Sequence, residues 1–232
     1  MPTPPPAPAG RRFEPDLRAM TRINLRPIAS PMPLGFYAVG IASVVVGTYQ
    51  LGLLGQDASR AVAFTILPAF LLQLLVAVLA FGARDVLAAT LMACFSGTWL
   101  ANALVLALHA EHGPRVLGVL NLCFTLFALL MASVARAKRA LWFVLCVAVP
   151  RFAAAAAAGL SGAHALTVLS GALGLLLAAM AFYAAFALML EDMRGEEVLP
   201  LGRSGPAHHA VEGDLSVQLR NLERHAGVRR TL

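Results

Sequence analysis

Charge is scarce in this chain. Of its 232 residues only 13% are Asp, Glu, Lys or Arg, about half the share usual in a soluble domain. Cysteine is scarcer still: Cys94, Cys123 and Cys146 all fall inside apolar stretches with no CxxC spacing. That excludes a disulfide framework or a thiolate metal site and leaves them as small apolar residues. No HExxH, no GxSxG and no cluster of carboxylates is present, so neither an enzyme nor a metal or cofactor site is expected. The long apolar runs also lack Asp, Glu and His at their centres, which removes the usual side chains of an intramembrane proton relay.

What fills the chain instead is hydrocarbon. Hydrophobic residues make up 59% of it and mean hydropathy is +0.75, more apolar surface than one soluble core can bury. A bilayer is the solvent that fits. A span needs about 20 mostly apolar residues, and six segments qualify: Leu34–Leu54, Ala61–Phe81, Val86–Leu108, Val116–Ala135, Ala140–Leu160 and Ala165–Leu190. Connections as short as GARD, RAKR and SGAH make successive spans antiparallel. The fold class is therefore an all-α integral membrane protein with six transmembrane helices. Residues 1–33 open on MPTPPPAPAG and continue with five arginines, a composition expected to be disordered. The first apolar run starts too late and is too long for a signal peptide. Residues 34–190 form the transmembrane domain, and residues 191–232 form a polar tail expected to be mobile.

The formal charge of +6 does not make a nucleic-acid binder, because the basic residues sit in tails and short loops that flank apolar runs. Fifteen of the eighteen Lys and Arg fall in the N-tail, GARD, RAKR and the C-tail, against Arg60 and Arg115 on the opposite side. Both termini are thus expected on the cytoplasmic side of a cell membrane, whether plasma or inner.

Small residues recur at helical spacing: Gly40, Ser43 and Gly47 with Gln50 in span one; Gly118, Asn121, Thr125, Ala128 and Ala132 in span four; Gly171, Gly174, Ala178, Ala181 and Ala185 in span six. In lipid such stripes let helices approach closely. The amides Gln50, Gln73, Asn102 and Asn121 lie within or near the ends of spans. An unpaired polar group there costs several kcal/mol, so they face one another, the bundle interior or water. Arg151 follows Pro150 near the middle of span five. Insertion scales put a central Arg at about +2.5 to +3.5 kcal/mol, and no carboxylate lies at comparable depth to pair with it. Carbonyls freed at the proline, a neighbouring subunit and an anion in transit are the three partners open to it.

At the head of span one stands SPMPLGF (Ser30–Phe36), and after span six EEVLPLG (Glu196–Gly202). With Gln73, Trp99 and SGALG (Ser170–Gly174) between them, these motifs resemble, in order, the NPAPLGL, VLPIG, glutamine, tryptophan and AGWIG features of the acetate uptake transporter family, which includes the bacterial succinate–acetate permeases. The resemblance implies a six-helix transporter of small monocarboxylates such as acetate, acting as a symporter or a channel, and a homo-oligomer (a hexamer). It also places substrate near the start of span one. Pro31 and Pro33 keep the chain extended there, Gly35 clears space, and the amides of Leu34, Gly35 and Phe36 would offer an anion site; Ser30 is the alternative, as a cap. Several positions depart from the family. Ser30 replaces its asparagine. Val39 and Phe95 stand for a phenylalanine and a tyrosine of its constriction, Ala93-Cys94-Phe95-Ser96 stands for T-S-Y-G, and Arg151 takes an apolar position. Gln50, Gln73, Asn102, Asn121, Thr125 and Arg151 complete the expected pathway. His109, His112 and His164 lie on the outer side, most simply as solvated loop residues. A non-transporting sensor or scaffold with the same fold is the other reading, motivated by the altered constriction and the charged tail.

Overall fold

The computed structural model describes residues 29–83, 85–194 and 197–202. Among them the chain forms six long helices: α1 (Met32–Gln50), α2 (Ser59–Gly82), α3 (Val86–Leu108), α4 (Gly113–Val134), α5 (Arg139–Ser161) and α6 (His164–Arg194). All six are long and apolar enough to cross a membrane. The third matches the expected bounds and the others differ by a few residues at their ends, where capping decides.

Those ends have identifiable causes. At α3 the side chain of Asp85 accepts a hydrogen bond from the Ala88 amide at 3.1 Å and also pairs with Lys138 at the start of α5. One carboxylate thereby starts one helix and ties it to another. His109 closes α3 and His112 opens α4, both with positive φ (48° and 55°), so the reversal between them is tight. Gly162 ends α5 at φ 72°, its amide bonding to the Ala158 carbonyl, the left-handed stop that glycine permits. Pro68 and Pro150 both sit inside continuous helices.

The helices form a ring. Close packing joins α3 to α2, α2 to α1, α1 to α6, α6 to α5 and α5 to α4, while the seam between α4 and α3 is thin. Glycine permits the closest approaches. A methyl group on Gly171 would sit 2.9 Å from the Gly47 carbonyl oxygen, and one on Gly159 would sit 2.9 Å from the Gly118 Cα and 2.4 Å from the Pro114 oxygen. The stripe of α6 is buried along its length (Gly171, Gly174, Ala178, Ala181 and Ala185), so it serves helix packing. Outside the ring lie large apolar side chains such as Phe64, Leu71, Val116, Leu126 and Leu129, a surface suited to acyl chains.

Antiparallel crossings put the start of α1, the end of α6 and the α2–α3 and α4–α5 connections at one end of the bundle, here called the basic end. There the segment after α6 is packed. Leu201 is buried, its carbonyl accepts from the Ala140 amide at 3.1 Å, and Tyr183 Oη donates to the Pro200 carbonyl at 3.0 Å. Helix α6 runs four residues past the expected boundary and residues 197–202 dock, so the ordered body extends beyond residue 190. Residues 203–232 and 1–28 lie outside the described residues.

Candidate functional site

The ring encloses a cavity of about 60 Å³, room for roughly four to six water molecules. Helix α1 contributes Phe36, Val39, Val46 and Gln50; α3 contributes Leu91, Met92, Phe95, Thr98, Trp99 and Asn102. Across from them α5 contributes Leu141, Val144, Leu145, Ala148, Arg151, Phe152 and Ala155, while α4 supplies Asn121 and α6 Leu177.

Chain direction sorts these residues by depth. At 1.5 Å per residue, Val39 lies about 10 Å from the basic end of α1 and Gln50 about 27 Å. On α3, Leu91 and Phe95 precede Thr98, Trp99 and Asn102; on α5, Leu141 to Ala148 precede Arg151. Towards the basic end the wall is aliphatic and aromatic. In the other half it carries Gln50, Thr98, Trp99, Asn102 and Asn121. Arg151 stands at the join, about 18 Å along α5.

The join is aromatic. Phe95 stacks on Phe152 (centroids 5.7 Å, planes 26° apart) and meets Phe127 edge-on at 5.7 Å and Phe124 at 5.9 Å. These rings span the thin α3–α4 seam. The Arg151 guanidinium carbon lies 5.2 Å from the Phe152 ring centroid, within cation–π range. Its side chain runs toward α6, where a methyl group on Gly174 would come within 3.5 Å of Nε. Arg151 is 8% exposed, and Nε has no hydrogen-bond partner. Of the three partners open from sequence, the Pro150 carbonyls supply no bond to Nε. Two more polar atoms on the wall are buried and unpartnered, Trp99 Nε1 and Gln50 Oε1. Asn102 and Asn121 instead donate back to the Thr98 and Leu117 carbonyls, at 2.8 and 2.7 Å.

Phe36, Val39, Gln50, Phe95, Asn102, Asn121 and Arg151, singled out from sequence, thus share this wall. Others do not. Helix α1 begins at Met32, earlier than expected, with Pro31 at its cap and no side-chain cap bond. Ser30 is exposed and caps nothing. The Gly35 amide already donates to the Pro31 carbonyl at 3.4 Å, and Pro31, Pro33, Leu34 and Gly35 are not among the residues that line the cavity. Gly35 serves packing: a methyl there would lie 2.8 Å from Met92 Sδ. Gln73 is fully buried behind the wall, its Nε2 donating to the same Met92 sulfur at 3.7 Å. Thr125 bonds back to the Asn121 carbonyl at 2.8 Å and lies off the cavity. Sequence reasoning missed Met92, Thr98, Val46 and Phe152 as wall residues. The place of Phe152 beside Arg151 was the one signal that could have found it.

Six antiparallel membrane helices around a buried, half-polar cavity define a polytopic membrane protein whose site lies in its interior. The chain belongs to the GPR1/FUN34/yaaH family, whose pattern matches residues 10–196. It is 25% identical over 183 residues to the Succinate-acetate/proton symporter SatP of Escherichia coli K12, covering 76% of this chain and 97% of that protein. The symporter of the same name from Shigella flexneri matches equally. Among solved structures, that of the bacterial acetate channel SatP superposes with a TM-score of 0.67 at 24% identity, covering 75% of this chain and 99% of that one. The shared fold therefore extends over nearly the whole of the relative.

Proposed function

We propose that this protein moves acetate or similarly small monocarboxylates across a cell membrane, through the cavity enclosed by its six helices. The observation that carries the reading is the wall itself. A buried path, polar in one half and apolar in the other, suits a solute with one carboxylate and a short hydrocarbon end. The relatives, one an acetate channel and the others succinate-acetate/proton symporters, support the same substrate class. Phe36, Val39, Gln50, Phe95, Asn102, Asn121 and Arg151 are the pathway residues in this reading, with Phe95 and Phe152 as the narrow point. The basic end faces the cytoplasm, following the Lys and Arg asymmetry, and the membrane is the plasma or inner membrane. The chain works as a homo-oligomer, a hexamer by family resemblance, with one pathway in each protomer.

The test is uptake of labelled acetate into proteoliposomes containing the purified protein, with and without an imposed proton gradient. Saturable uptake above that of empty liposomes is expected. Dependence on the gradient would make the protein a symporter, and independence a channel or uniporter. Absence of flux for acetate, propionate and lactate alike would overturn the transport reading.

A further inference from the structure

Among the described residues Arg151 is the one charged side chain on the cavity wall. It is more than nine-tenths buried, and its Nε lacks a partner. No ion pair to it occurs among the described residues. A guanidinium keeps its charge across the physiological range, and a buried charge without a counter-charge is costly. Something of opposite sign must offset it when the protein works. The surroundings say what shape that partner has. On one side the guanidinium lies by the Phe152 ring, and on α6 the bare backbone of Gly174 leaves it room. The same wall carries a second buried, unpartnered donor, the Trp99 indole N–H. A cation and a second donor on the wall of one aromatic, aliphatic chamber suit a carboxylate with a short alkyl end.

We propose that Arg151, with the Trp99 N–H, is the binding point for an ionised carboxylate, and that this chain carries small monocarboxylates as anions. The proposal rests on reading the cavity as the pathway and adds the charge state and size class of what passes. A neutral acid would leave the guanidinium without its counter-charge. A dicarboxylate such as succinate would bring in a second negative charge, for which the cavity wall offers no second cation among the described residues. Passage of the anion moves one negative charge, so it is electrogenic.

The experiment uses the full chain with Trp142 replaced by Phe, so that Trp99 is the sole tryptophan. In lipid nanodiscs, sodium acetate is titrated against its neutral isostere acetamide and against succinate, and the same protein in proteoliposomes is assayed for acetate-driven current. Acetate is expected to perturb Trp99 emission saturably, with acetamide and succinate at least about tenfold weaker, and an acetate gradient is expected to drive current without a pH gradient. Arg151→Gln should weaken acetate about tenfold or more. Arg151→Lys, which keeps the charge and loses the planar fork, should weaken it about threefold and decides the matter if the Gln variant does not fold. Unaltered acetate affinity in the variant that folds, or acetamide binding as well as acetate, would overturn the proposal. Arg151-dependent binding without any flux would overturn the transport reading, and carriage of the anion with it, while leaving Arg151 as the carboxylate-binding point. Flux that is electroneutral and indifferent to Arg151 would overturn this proposal and leave the transport reading standing.

Discussion

Val39 and Gly35 show how single side chains set the dimensions of the path. Val39 is 8% exposed on the cavity wall and packs in one cluster with Phe36, Phe95 and Phe152. Val39→Phe puts a ring where the family resemblance expects one and takes volume from a space of about 60 Å³. Acetate flux in proteoliposomes is expected to fall, and lactate flux to fall further, because the bulkier solute loses the same space. Equal loss for both would mean that Val39 does not border the narrow point. Gly35 acts at second hand: a side chain there meets the end of Met92, which lines the cavity, so Gly35→Val should reduce flux and also lower thermal stability by roughly 1–3 kcal/mol, as overpacking does. The sequence marked Gly35 as functional through the proline motif around it, and the structure gives it a packing role one residue removed from the wall. A motif shows which positions are constrained, not which atoms impose the constraint.

Helices in this protein are joined by a few specific devices, and each can be broken separately. Asp85 caps α3 and pairs with Lys138. Asp85→Ala should cost about 1 kcal/mol for the cap and little more for a part-exposed ion pair, read as a small drop in melting temperature that Asp85→Asn partly restores by keeping the cap. The α4–α5 contact is less forgiving. At Gly159 the nearest atoms are backbone of Pro114 and Gly118, which cannot turn aside as a side chain can. Gly159→Leu should therefore separate the two helices and leave little protein that elutes as a folded species in mild detergent, whereas Gly97→Leu, at a site with open space around it, should be tolerated. The sequence contained these glycines in plain view. Their pairing, Gly47 with Gly171 and Gly118 with Gly159, depends on which helices become neighbours in the ring, and spacing within one helix carries no such information.

The docked segment 197–202 closes the α5 start through the Leu201 carbonyl, so a chain ending after residue 202 should keep its fold and its acetate flux. Loss of flux with the fold intact would give the tail a direct role and favour a regulatory reading of this protein. Single cysteines placed at positions 30 and 204 in a background lacking the native three should react with a membrane-impermeant thiol reagent only after the inner face of spheroplasts is opened. Labelling of intact spheroplasts would reverse the proposed orientation.

Composition and period determined the broad outcome without any coordinates. Apolar runs of about 20 residues can satisfy their backbone groups in lipid only as helices, so six spans and their antiparallel order follow from the chain alone. Arg151 was equally legible, because a lone charge among aliphatic residues stands out at any depth of reading. Tertiary structure decided the rest. It turned the face of Gln73 behind Met92, used the Gly35 amide within α1, set Trp99 and Arg151 on one wall, and filled the α3–α4 seam with phenylalanines from three helices. Those facts depend on the rotation of each helix about its axis. In a bilayer, where apolar side chains are at ease on every side, sequence periodicity constrains that rotation only weakly, and the fit of glycine against backbone fixes it.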